Sequence, residues 1–140
     1  MLNKDEIKNI IPQREPFLMI DEVESYVPGV RATAYKFVDE KEWYLQGHFP
    51  GNPIMPGVLI VESIAQTGAI AILSLKENKG KNALFAGIDK VKFKQKVVPG
   101  DKIKLEVKII KQKGSVGVGE GIASVNGNLV AKGEFTFALV

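Results

Sequence analysis

The stretch that most constrains this chain is GVLIVESIAQTGAIAILSLKE, Gly57 to Glu77. A helix of this length spans about 30 Å. Val58, Leu59, Ile60, Val61, Ile64, Ala65, Ile70, Ile72 and Leu73 make it apolar almost all round. Such a helix is buried in a core or crosses a bilayer. Glu62, Ser63, Gln66, Thr67 and Ser74 decide for the core, because one central acidic residue costs about 2.5–3.5 kcal/mol in a membrane. No other segment is apolar enough to span one.

Something must cover that helix, and the rest of the chain reads as strands. Asn3 and Glu6 form a capping-box pattern, and Ile7, Ile10 and Ile11 give a short first helix that Pro12 ends. Phe17 to Tyr26 reads as a strand, Pro28-Gly29 as a turn, and Val30 to Val38 as a second strand. On that strand Ala32, Ala34, Lys36 and Val38 share one face, and neither face is purely apolar. Asp39 to Pro56 reads as a loop with one helical turn near Lys41 to Leu45, long enough to suggest function. After the long helix come four strands: Ala83 to Val97 with a bend near Gly87, Lys102 to Lys113, Ser115 to Val125, and Leu129 to Leu139. Asn126-Gly127 is a strong hairpin signal, since both central residues of a type I′ turn need positive φ. The predicted class is α+β: one antiparallel β-sheet wrapped around one long central α-helix, in a single domain over residues 1–140.

Composition closes several routes. There is no cysteine and only one histidine, so a thiolate nucleophile or metal site is excluded, and so is a multi-histidine metal site unless subunits share one. The net charge of +3 comes from lysines spread along the chain, which argues against nucleic acid but suits an acidic carrier. The charged N-terminus, MLNKDEIKNI, lacks the apolar core of a signal peptide and predicts a cytoplasmic protein.

The lone histidine, His48, sits in GHFPGNPIMPG, where six of eleven residues are glycine or proline. Rigid loops position side chains for binding or catalysis, although a loop histidine making one hydrogen bond is the plain alternative. Glu62 follows in the second turn of the apolar helix. It either belongs to a thin polar stripe with Gln66 or is a buried carboxyl held protonated. Gly57 opens the helix, where a backbone N–H stabilises negative charge and a missing Cβ allows close approach. A base, an acid and an oxyanion donor suit removal of a proton α to a carbonyl, with loss of a β-hydroxyl. Spacing alone supports this weakly.

The stretch HFPGNPIMPGVLIVESIAQTGA, 48–69, resembles the active-site segment of the β-hydroxyacyl-[acyl-carrier-protein] dehydratases of bacterial fatty-acid synthesis, FabZ type. IPQREPFLMIDEV, 11–23, and FAGIDKVKFKQKVVPGDKIKLEV, 85–107, extend the likeness over essentially the whole chain. The resemblance implies the hot-dog fold. It implies His48 and Glu62 as catalytic residues, with Gly57 polarising the thioester carbonyl. Phe49, Pro56, Val58 and Gln66 are the further substrate contacts expected. It also implies a homodimer with histidine and glutamate from different subunits, a hexamer of three dimers, an acyl carrier protein with a phosphopantetheine-linked chain as partner, and no cofactor or metal. Glutamate at position 62, where the related dehydratase-isomerases carry aspartate, favours the simple dehydratase. Gln13 stands where family members often have histidine, and Glu15 where an aromatic is common.

Lys90, Lys92, Lys94 and Lys96 alternate along a predicted strand, as a solvated face or as a basic patch for the carrier. Phe85 and Phe93 are assigned to core packing, with tunnel lining as the other reading. The competing functions are a hot-dog thioesterase, which would release a free thiol, and a non-catalytic acyl-binding module.

Overall fold

The computed structural model describes residues 1–140. Helix α1 spans Lys4–Lys8, strands β1 and β2 span Glu22–Val27 and Arg31–Phe37, and helix α2 spans Gly57–Leu73. Strands β3 (Ala83–Phe93), β4 (Lys102–Lys113), β5 (Val116–Val125) and β6 (Asn128–Leu139) follow. The six strands form one sheet in the order β1-β2-β4-β5-β6-β3, and every neighbouring pair is antiparallel. The sheet curls around α2, whose main contacts are with β4, β2 and β5. The expected α+β architecture is therefore the observed one.

Alternation explains why the middle strands bury α2. On β4, Ile103, Leu105 and Val107 point inward and are buried, while Lys102, Lys104, Glu106 and Lys108, which alternate with them, stay partly or fully exposed. On β5, the inward positions are Gly117, Gly119, Gly121 and Ala123. A Cβ on Gly121 would lie 2.3 Å from Ile64 Cγ2, so its absence lets α2 press directly onto the sheet. The Asn126-Gly127 turn has φ of 51° and 80°, as a type I′ hairpin requires.

The long helix stops four residues before Glu77. Its terminal carbonyls find other donors: Gly29 N–H and Ser74 Oγ bond Ala71 O, and Asn78 Nδ2 bonds Ile72 O. Capping of this kind ends a helix where apolar periodicity alone would extend it. The first strand begins five residues later than expected. Met19 N–H donates to Gln66 Oε1 at 2.7 Å, and the Phe17 carbonyl accepts from Gln66 Nε2. The Phe17 and Leu18 N–H groups turn back to Arg14 O. That backbone is thus tied to α2 and to its own turn, not to a strand partner.

Lys36, on the inward face of β2, is buried but paired with Glu42 at 2.5 Å and lies 4.0 Å from Asp21. The helical turn in the long loop is a 3-10 turn at Trp43–Leu45. Strand β3 ends at Phe93 rather than at Val97, and it bulges between Phe85 and Gly87 and again between Asp89 and Lys92. The second bulge, with Lys90 at φ 55°, breaks the regular lysine alternation. Lys94 and Lys96 lie beyond the strand, and Lys90 pairs with Glu134 at 3.1 Å. All four lysines are exposed.

Candidate active site

His48 is held by the loop that carries it. Ile54 N–H donates to His48 O at 2.8 Å, and His48 Nδ1 contacts Ile54 O at 2.7 Å. A carbonyl only accepts, so the proton of the neutral imidazole sits on Nδ1 and leaves the Nε2 lone pair free. Phe49 and Asn52 exchange backbone bonds around Gly51, whose φ of 72° suits glycine. The Phe49 ring stacks on the imidazole at 4.0 Å. Met55 N–H to Val97 O, 2.9 Å, ties the loop to the body. The Ile54 carbonyl was not among the expected site groups, because a backbone acceptor leaves no mark in residue types.

Pro56 caps α2 without a side-chain bond, and Gly57 is its first residue. The first N–H groups of a helix have no partner four residues back. A Cβ on Gly57 would meet the Phe93 ring at 2.9 Å, so only glycine lets that ring cover the helix start. Val58, next along, is 73% exposed.

Glu62 is half-buried, and burial pushes its carboxyl above the ordinary range. Gln66 Nε2 donates to Glu62 Oε2 at 2.9 Å, an opposing and smaller effect. Gln66 itself is fully buried, with its oxygen taken by Met19 N–H and its nitrogen shared between Phe17 O and Glu62. It is not on the cavity wall, where a substrate contact was expected. Its geometry is that of a brace behind Glu62.

Glu62 lines a cavity of about 250 Å³ between α2 and the sheet. Twelve of its sixteen lining residues are hydrophobic, a wall suited to an alkyl chain. Phe85 is on that wall, and neither Phe85 nor Phe93 is in the core, correcting the packing assignment. His48 is not on the wall, and no hydrogen bond links it to Glu62 within one chain.

A six-stranded antiparallel sheet wrapped around one long helix defines the hot-dog class. Structural neighbours agree on the fold. The dehydratase heterocomplex ApeI:P from Xenorhabdus doucetiae superposes with a TM-score of 0.81 at 16% identity, covering 96% of this chain and 90% of that one. A hypothetical thioesterase protein with coenzyme A from Streptococcus pneumoniae gives 0.66 at 13% identity, covering 85% and 84%. A family model described as a FabA-like domain matches residues 11–134. The 3-hydroxyacyl-[acyl-carrier-protein] dehydratase FabZ of Enterococcus faecalis is 55% identical over 96% of this chain and 95% of its own length. The FabZ of a Roseiflexus species is 57% identical over 99% and 97%. The chain belongs to the FabA-like family and, within it, to the FabZ 3-hydroxyacyl-[acyl-carrier-protein] dehydratases.

Proposed function

We propose that this chain removes water from 3-hydroxyacyl-[acyl carrier protein] in fatty-acid synthesis, giving the trans-2-enoyl thioester, with His48 as base and Glu62 as acid. One observation carries the assignment: an acidic side chain, its pKa raised by burial, stands on the wall of a mostly apolar, alkyl-sized cavity. Burial disfavours the ionised carboxyl, which suits it to donate a proton to a leaving hydroxyl. The base takes the α-proton on Nε2, the nitrogen that the Ile54 contact leaves free. Negative charge developing on the thioester oxygen is met by Gly57 N–H at the start of α2. Gln66 acts as a positioning residue for Glu62. Phe49, Pro56 and Val58 stay the further substrate contacts of this reading, although none of them is on the cavity wall within one chain.

Because His48 is off the cavity wall, the base facing Glu62 is His48 of the partner subunit in a homodimer. The free edge of β3 supports this. Leu84, Phe85, Ile88 and Phe93 each keep 43–52% of their surface exposed along it, the kind of apolar patch that marks an interface. Three such dimers form the hexamer of this reading. Lys92 near the end of that strand and Lys94 and Lys96 beyond it, all exposed, are the proposed attraction for an acidic carrier. Raised salt then slows turnover of the carrier-bound substrate more than of a small thioester. Equal slowing of both would remove the patch from the reading.

The test follows the conjugated double bond by absorbance with wild type, His48→Ala and Glu62→Gln. Each substitution is expected to lower the rate by about 10²–10⁴-fold. Full activity in either variant refutes its assignment. Release of free thiol in place of an enoyl product would turn the reading into a thioesterase, and binding without turnover into an acyl-binding module.

A further inference from the structure

The cavity wall carries a second polar group that the proposed mechanism leaves unused. Gln13 lies between α1 and β1, in a segment latched by Arg14, whose guanidinium bonds Ile11 O, Gln13 O and Lys8 O at 2.9–3.0 Å. The Gln13 side-chain oxygen is buried and has no hydrogen-bond partner. Orphaned buried acceptors are rare in folded proteins because each loses its hydration without compensation. Gln13 and Glu62 are the only polar side chains among the sixteen residues lining the cavity. The remaining non-hydrophobic positions, Gly68 and Gly119, offer no side chain.

A 3-hydroxyl entering this cavity brings one hydrogen to donate and lone pairs to accept with. Protonated Glu62 serves the lone pairs. Its Oε2 already accepts from Gln66, which leaves the unpaired Gln13 oxygen as the freer acceptor on the wall for the hydrogen of the hydroxyl. We propose that the Gln13 amide oxygen accepts the hydrogen bond of the substrate's 3-hydroxyl, making Gln13 the residue that tells a 3-hydroxyacyl chain from a saturated one. This rests on the assignment of Glu62 as the acid. In the reaction the α-proton passes to the histidine base and the C–H electron pair becomes the Cα–Cβ double bond. The Cβ–O bond then breaks onto the proton from Glu62. The water that leaves carries its original hydrogen toward Gln13 and the new one from Glu62, and no further reactant is needed.

Gln13→Met keeps the length of the side chain and deletes the acceptor. The expected result is a roughly tenfold loss of kcat/KM for a 3-hydroxyacyl thioester. Inhibition by the saturated thioester of equal chain length should be unchanged, and thermal stability should not fall, since an unpaired polar atom has been removed. Gln13→His, which restores an acceptor, should recover most of the loss. Gln13→Asn, which withdraws the oxygen by one methylene, should show the same selective defect and serves if the methionine variant does not fold. Equal weakening toward both ligands overturns the proposal in favour of simple wall packing, and so does an unchanged kcat/KM. Glu62→Gln measured alongside separates the two levels. If it abolishes turnover while Gln13→Met shows no selectivity, only the role of Gln13 fails. If it turns over normally, the acid assignment fails and the role of Gln13 with it.

Discussion

Strands β4 and β3 are both long and both rich in apolar residues, yet they end in opposite conditions. On β4, Ile103, Leu105 and Val107 face α2 and are buried, and Lys102, Lys104, Glu106 and Lys108 take the other face. On β3, Leu84, Phe85, Ile88 and Phe93 remain about half exposed. The central strand has α2 below it and neighbours on both sides, so its pattern is complete within one chain. The edge strand has one neighbour, β6, and its first half carries no charge to discourage pairing. Its second half is guarded by Asp89, Lys90, Lys92 and a bulge, the usual protections of a free edge. The difference teaches a division of labour. The β4 side holds the domain together, and the β3 side is left unfinished for the proposed second copy and the shared site.

The sharpest way to break this comparison is a charge on the unguarded edge. Ile88→Glu is expected to leave the circular dichroism of the monomer intact, shift sedimentation to the monomer, and cut turnover by about 10²-fold or more as the shared base is lost. An assembled, fully active Ile88→Glu would place the interface elsewhere. The converse change falls on the central strand. Leu105→Ala should lower unfolding stability by about 2–5 kcal/mol, read by chemical denaturation, with assembly and specific activity of the folded fraction retained. A smaller effect is expected at the close approach of α2 to the sheet. Gly121→Ala puts a methyl group against Ile64 and should cost about 1–3 kcal/mol by overpacking.

The smallest effect concerns pH. Burial raises the Glu62 pKa above its unfolded value, so between those two values the folded chain binds more protons than the unfolded one. Stability then falls as pH rises through that window. Glu62→Gln should remove this slope, gaining on wild type as pH rises. The same sign predicts that wild-type turnover declines once pH passes the folded pKa and Glu62 loses its proton. Parallel stability profiles for the two proteins would contradict the raised value.

Much of this was legible in residue types. Asn3 and Glu6 close the capping box as expected, and the Asn126-Gly127 hairpin stands where turn chemistry puts it. Local rules suffice for such elements because their partners lie within a few residues. The start of β1 was misjudged because Gln66, 47 positions after Met19, holds the backbone there. The end of α2 was misjudged because Asn78 and Gly29 cap carbonyls that apolar periodicity ignores. Gln13 drew notice only as a departure from the family pattern, because a lone glutamine in a loop has no periodicity to mark a role.

By itself the sequence determined the fold class and the candidate groups: an all-round apolar helix that a sheet must cover, one histidine in a stiff loop, and one carboxyl among aliphatic side chains. Periodicity and backbone stiffness are local properties, so they survive in a string of letters. Only the tertiary structure decided the environment of each group. It set His48 Nδ1 on Ile54 O, braced Glu62 with Gln66, and left the Gln13 oxygen unpaired on the cavity wall. Tautomer, protonation and an empty hydrogen bond depend on atoms brought together from distant positions, and only folding brings them within reach.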